Sequence, residues 1–279
     1  AVYEITAAED IVTLDGTVRA NKGEVVDTVT TGKDGTAKSK ELYLGKYAVK
    51  EITAPYGMVL NEEVHSVELV YAGQNVDVTE TATSFYNERQ RVEIDLIKSL
   101  AIDDAYGIGK NGEIFDVTFG LYAAEELTAA DGKTIPADGL IAEVSLNENM
   151  TAVIAEKIPF GKYYVQEIAT DEHYVLNGEK YLVDFEYMGQ EVTTVNIDCG
   201  QFENELKRGK IEGIKVNESD EPLENALFGL FQTDCTEFVE SNAIMTAISD
   251  ETGYFAFDEV PYGEYIVKEI EAPTGYILS

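Results

Sequence analysis

The feature that most constrains this chain is a phrase it states three times. GKYAVKEITAPYG at 45–57 returns as GKYYVQEIATDEH at 161–173 and as GEYIVKEIEAPTG at 263–275. Each copy places an acidic residue (Glu51, Glu167, Glu269) two positions after a valine and four after a tyrosine. In a strand, positions two apart share a face. Tyrosine, valine and glutamate therefore point the same way, and the first two say that this way is inward. A fold built on this phrase must aim a carboxylate at a core three times.

The surrounding segments read as strands. VHSVELVY (64–71), KYLVDFEY (180–187) and YFAFDEV (254–260) alternate or are rich in β-branched and aromatic residues. Turn signals AGQN (72–75), MGQE (188–191) and DETG (250–253) separate them at hairpin spacing. No segment sustains a helical period; LYAAEELTAADG (121–132) can hold one short helix or a bulged strand exit. The expected class is all-β.

Further phrases recur in register with the first. SFYNER (84–89) and QFENEL (201–206) follow the first two glutamates, so that Asn87 lies 36 residues after Glu51 and Asn204 lies 37 after Glu167. IDLIKSL (94–100) and IEGIKVN (211–217) bring Lys98 and Lys215 into correspondence. FGLYAAE (119–125) and FGLFQTD (228–234) also match, with AVYEITA (1–7) as a looser copy. Glu51 and Glu167 are 116 residues apart and Glu167 and Glu269 are 102 apart, which is domain-sized spacing. Three units are expected: 1–89 without its opening strand, 90–207 whole, and 208–279 without its closing strand. Short connectors, NERQR and NELKRG, suggest an extended rod.

Parity then places the polar groups. Val92, Ile94, Leu96 and Lys98 share a face, as do Ile211 and Lys215, with Gly213 between them. Phe85 shares parity with Asn87, and Phe202 with Asn204. A whole unit thus sends a lysine, a glutamate and an asparagine inward. Unpaired charges in a core are expensive, so the three must meet or shed their charges. Burial lowers a lysine pKa and raises a glutamate pKa, by up to roughly 3–5 units. A neutral lysine is a nucleophile. A protonated glutamic acid can hydrogen-bond the asparagine carbonyl oxygen, polarise it and relay a proton to the leaving nitrogen. The amine then attacks the side-chain amide, releases ammonia and leaves a Lys98–Asn204 isopeptide bond. Proximity drives the step, since well-oriented intramolecular reactions reach effective molarities of about 10⁵–10⁸ M. The chain is its own single-turnover substrate and not an enzyme.

These residues resemble the collagen-adhesin B-type, SpaA-like isopeptide-forming pilin domains of Gram-positive surface proteins. The resemblance rests on the I-x-K opening strand, the G-x-Y-x-V-x-E-x-x-A-P-x-G-Y box and the closing F-x-N strand, and it covers almost the whole chain. It implies tandem transthyretin-like, reversed immunoglobulin-type β-sandwiches with the isopeptide tying first strand to last. It also implies that Lys98, Glu167 and Asn204 form the bonding triad. Glu51 with Asn87, and Lys215 with Glu269, are incomplete equivalents whose partners would lie before Ala1 and after Ser279. Unit two departs from the box after its glutamate, reading ATDEHY, which puts the following turn in doubt. The implied role is the stalk or shaft of a cell-surface adhesin or pilus-like protein, displayed outside the cell and associated with its wall. Pulling such a sandwich by its ends would peel its terminal strands, and a link between them carries the load instead. Closing so long a loop stabilises by roughly 4–5 kcal/mol in the entropic picture.

Charge and composition limit the alternatives. With 20 basic and 53 acidic residues the net charge is −33, which repels nucleic acid and anionic membranes. No run of about 18 apolar residues exists to span a bilayer, and the opening AVYEITAAED lacks the pattern of a secretion signal, as expected of a cytosolic chain or an internal part of an exported one. Two cysteines do not build a disulfide framework, and Cys199 and Cys235 are expected to be free, partly buried thiols. Cys199-Gly200-Gln201 carries the residues of internal thioesters, but that chemistry needs a different fold. His65 and His173 are lone surface residues, and NESDEPLEN (217–225) and AIDDAYG (101–107) are solvated acidic loops without EF-hand spacing. No metal or cofactor is expected. The partners expected are neighbouring repeats of the same polypeptide. The rival reading is an adhesive module for a host extracellular protein or glycan, for which the insert 128–150 is the place to look. Seventeen tyrosines favour such a site and the lack of tryptophan counts against it.

Overall fold

A computed structural model describes residues 1–278. The described residues are almost entirely strand and loop, with only two short 3₁₀ turns at Glu113–Asp116 and Glu240–Asn242. Segment 121–132 takes the bulged exit: the strand Thr118–Ala123 leaves its sheet and enters a small hairpin of Leu127–Thr128 with Thr134–Ile135.

The middle segment is a two-sheet sandwich. One sheet is antiparallel and runs in the order Leu140–Ser145, Thr118–Ala123, Gly161–Ala169, Tyr181–Phe185. The other runs Thr151–Glu156, Arg91–Leu100, Thr194–Asn204, and its last two strands are parallel. Parallel neighbours need a long crossover, and here the crossover is everything between the opening and closing strands. Alternation fills the space between the sheets: Val92, Ile94 and Leu96 from the opening strand meet Phe119, Leu121, Tyr163, Val165, Phe185 and Phe202. Each such side chain contributes roughly 1.5–3 kcal/mol by leaving water.

The closing strand contains a device the residue pattern did not announce. Its pairing shifts between Asp198 and Gln201, where one extra residue is accommodated around Cys199 and Gly200. Gly200 has φ 75°, a left-handed conformation natural to glycine. Before this bulge the odd positions Val195, Ile197 and Cys199 pack toward the core, and after it the even positions Phe202 and Asn204 do so. The bulge therefore turns Asn204 inward. Burial pushes the Cys199 thiol up to about 11, and no thioester geometry surrounds it: Gln201 Nε2 donates to Ser99 Oγ at 2.9 Å.

The first segment repeats the four-stranded sheet, in the order Val25–Thr30, Val2–Ala7, Gly45–Thr53, Val64–Leu69. Its expected closing strand does not form: 84–87 makes no ladder. In the middle segment the closing strand is held by the opening strand, and among the described residues none stands beside 84–87. Phe85 still packs inward, on Tyr3 at 4.8 Å and His65 at 4.1 Å between ring centres. His65 is thus a half-buried stacking residue and not a loop surface group. The third segment pairs Arg208–Ile214 with Tyr254–Pro261, opposite a sheet of Met245–Ile248, Leu227–Gln232 and Tyr265–Glu271.

The connectors are braced. Gln90 is buried, donates from Nε2 to the carbonyls of Gly189 (3.0 Å) and Val192 (2.7 Å), and accepts from Met188 N at 2.9 Å. Gln190 in turn accepts from Ala54 N at 2.8 Å. At the second connector, Arg208 bridges Asp103 at 2.8 Å and Tyr106 packs edge-on against Tyr265. Loop 101–107 is therefore a docking element for the third segment, which corrects its reading as a solvated acidic loop. Its counterions and stacking partner lie too far along the chain for local pattern to find.

Candidate functional site

Lys98, Glu167 and Asn204 are brought together in the middle core, at 2%, 1% and 1% exposure. Lys98 and Asn204 come from neighbouring parallel strands of one sheet, and Glu167 reaches across from the other. Lys98 Nζ donates to Asn204 Oδ1 at 2.8 Å and to the carbonyls of Ser99 (2.7 Å) and Phe202 (3.2 Å). Asn204 Nδ2 donates to Glu167 Oε1 at 2.6 Å and to Thr170 Oγ1 at 3.0 Å. Glu167 Oε1 also accepts from Asn177 N at 3.1 Å. Glu167 Oε2 lies 3.7 Å from Lys98 Nζ and has no hydrogen-bond partner. Burial pushes the Lys98 amine below its ordinary value of 10.5, against the opposing pull of the Glu167 carboxylate.

One expectation is corrected by this geometry. Glu167 faces the amide nitrogen of Asn204 and not its carbonyl oxygen, which Lys98 holds. A carboxylate oxygen accepts and an amine donates, so each takes the end of the amide that complements it. The arrangement sets Oε2 3.7 Å from Nζ and Oε1 in hydrogen-bond contact with the amide nitrogen.

The other two segments hold parts of the same set. Glu51 is fully buried and accepts from Asn87 Nδ2 at 2.6 Å and from Asn61 N at 2.8 Å, leaving Oε1 unpartnered. Tyr3 stands across the ladder from Glu51, and burial together with that carboxylate raises its hydroxyl pKa. Lys215 Nζ reaches both oxygens of Glu269 at 3.0 Å, with the lysine side chain 18% exposed. The pair lines an open cleft of about 420 Å³ with Phe228, Phe255 and Val267.

Two site residues escaped the sequence reading. Asn61 and Asn177 each donate a backbone N–H to their glutamate, and each side-chain amide reaches the residue before the closing asparagine: Tyr86 O at 3.0 Å and Glu203 O at 3.4 Å. The signal was present, since V-L-N stands at 59–61 and again at 175–177. The turn after Glu167 survives its divergent residues: Tyr174 bridges Leu206 as Met58 bridges Arg89.

The insert 128–150 forms part of a sheet edge. The nearby Tyr122 and Tyr164 rings stack at 5.1 Å, but Asp138 and Lys180 cover Tyr164, which is 4% exposed. No group of three or more His, Cys, Asp or Glu fit to hold a metal occurs among the described residues.

A match to the SpaA prealbumin-like fold domain covers residues 2–83, 106–198 and 209–279. The matched segments contain all three glutamates and Lys215 but stop short of Lys98, Asn87 and Asn204. Among solved structures, the TIE protein of Bacillus anthracis superposes with a TM-score of 0.63 at 25% identity, over all of this chain and 43% of that one. The trypsin-resistant surface T6 protein of Streptococcus pyogenes serotype M6 is 31% identical over 96 residues, which is 34% of this chain and 17% of that protein. BcpA, the major pilin subunit of Bacillus cereus, aligns over 98% of this chain and 83% of its own at 15% identity, with a TM-score of only 0.31. The chain thus spans well under half of the TIE and T6 proteins.

Proposed function

The chain belongs to the SpaA family of prealbumin-like fold domains, and from that premise we propose that it is a stalk segment of a Gram-positive surface adhesin or pilus-like protein whose middle unit closes itself with a Lys98–Asn204 isopeptide bond. The units are 1–89, 90–207 and 208–279. The observation that carries the reading is the sealed group of Lys98, Glu167 and Asn204, with amine, amide and carboxyl all in contact range and out of water.

The step is balanced within these three side chains. Oε2 of Glu167 takes a proton from Nζ, and the neutral amine adds to Cγ of Asn204. The proton then passes from Glu167 to Nδ2, the Cγ–Nδ2 bond breaks and ammonia leaves, and the second proton that Nζ sheds on becoming an amide nitrogen returns to Glu167. Nothing turns over, so the role is structural, with neighbouring repeats as the first partners and the outside of the cell as the location. Within the described residues, Asn87 is hydrogen-bonded to Glu51 and Lys215 is ion-paired with Glu269. Beside the insert 128–150 the Tyr164 ring is covered by Asp138 and Lys180, so that ring does not support the reading of the insert as a host-ligand or glycan site.

Intact mass tests the reading. The purified chain is expected to lack one ammonia, and the Lys98→Ala and Glu167→Ala variants to retain it. Full mass in the parent chain, fresh and aged, would sink the chemistry and leave a buried polar cluster.

A further inference from the structure

The Asn204 amide makes three hydrogen bonds and the proposed reaction uses only those to Lys98 and Glu167. The remaining one, from Nδ2 to Thr170 Oγ1 at 3.0 Å, is specific to the middle unit. In the first unit the corresponding nitrogen, Nδ2 of Asn87, gives its second hydrogen to the main-chain carbonyl of Val59 at 2.9 Å. Thr170 stands three residues after Glu167; at the same step Glu51 is followed by Ala54 and Glu269 by Ala272. The hydroxyl thus stands beside the amide that Lys98 and Glu167 also hold.

We infer that Thr170 is a fourth member of the reacting group and holds the leaving nitrogen of Asn204 while the isopeptide bond forms. This rests on the reading of Lys98 and Asn204 as the reacting pair. In the starting amide, Nδ2 is planar and donates both hydrogens, one to Glu167 Oε1 and one to Thr170 Oγ1. Together with Nζ on Oδ1 these contacts fix which end of the amide faces the amine. When Nζ bonds to Cγ, Nδ2 becomes pyramidal, recovers its lone pair and takes a proton from Glu167. A hydroxyl can rotate from accepting to donating as this happens, whereas a main-chain carbonyl can only accept. Thr170 therefore keeps a hydrogen bond to the nitrogen from amide to departing ammonia and is itself unchanged. The divergence of ATDEHY from the box is, on this account, functional.

The test follows ammonia loss by intact mass during a time course of cell-free synthesis of the full chain. Thr170→Val is expected to slow the loss roughly tenfold, the worth of one hydrogen bond to the reacting nitrogen. Thr170→Ser, which keeps the hydroxyl, is expected to stay within about twofold of the parent. Parent-like loss in Thr170→Val, or a Thr170→Ser variant as slow as Thr170→Val, overturns the inference while leaving the bond itself standing. Full mass in the parent chain overturns both.

Discussion

The middle and third units each bury a lysine against a glutamate, and they do so differently. Lys215 sits on both oxygens of Glu269 at 3.0 Å, whereas Lys98 stands 3.7 Å from Glu167. The difference is Asn204, whose amide lies between the two charges and takes the ammonium on its oxygen and the carboxylate on its nitrogen. Two opposite charges left together collapse into an ion pair, and an interposed amide holds them apart. The first unit shows the third combination: Asn87 on Glu51 without a lysine, held at the same 2.6 Å as Asn204 on Glu167. The glutamate–asparagine contact therefore does not depend on the lysine.

The comparison breaks most completely if Asn204 is turned away. Deleting Gly200 removes the extra residue of the bulge and restores one-to-one pairing with the opening strand, which puts Asn204 and Phe202 on the opposite face. The expected outcome is a middle unit that keeps its ammonia and pairs Lys98 with Glu167 as the third unit pairs Lys215 with Glu269. Ammonia loss at the parental rate would mean that the strand slips to recover its register.

A smaller effect sharpens the other side. Glu269→Gln leaves the Lys215 ammonium without its counter-charge, but its side chain is 18% exposed and can find water. The expected cost is about 1–3 kcal/mol, below the roughly 3–5 kcal/mol of a fully buried broken pair. Hydrogen exchange along Tyr265–Glu271 in urea reads it, and no change in protection would mean that the pair adds nothing to the fold.

The smallest effect concerns pH. Burial depresses the Lys98 pKa, so its neutral, nucleophilic form appears at lower pH than in an exposed lysine. The rate of ammonia loss should rise with pH and level off with a midpoint below 10.5. A midpoint at or above the ordinary lysine value would place the reacting amine in water.

How legible all this was in the residues depends on the range of the cause. Lys98 and Glu167 follow from parity alone, because the pairing that leads up to each from Val92 and from Tyr163 keeps its register. Asn204 was placed inward by counting only from Phe202, and the bulge that makes that count agree with the rest of the strand was not visible in it. The closing strand of the first unit was misjudged because a strand is a property of a pair. SFYNER carries the right side chains and lacks a neighbour to bond with. Asn177 and Thr170 were missed for opposite reasons: the first hides in a repeated V-L-N, the second in a departure from the repeat. The bracing of the connectors by Gln90, Gln190 and Tyr106 joins residues far apart along the chain, and nothing local foretells it.

The parallel placement of the opening and closing strands sets how far such a unit can stretch. Lys98 and Asn204 are 106 residues apart along the chain and adjacent in space. At about 3.3–3.6 Å per extended residue, the enclosed segment holds roughly 350 Å of contour length. With the link closed that slack is locked away, and tension entering at Arg91 crosses to the closing strand after a few residues. A filament of such units would answer a pull with stiffness and a nearly constant length, and the sandwich inside each loop would stay folded as unloaded cargo.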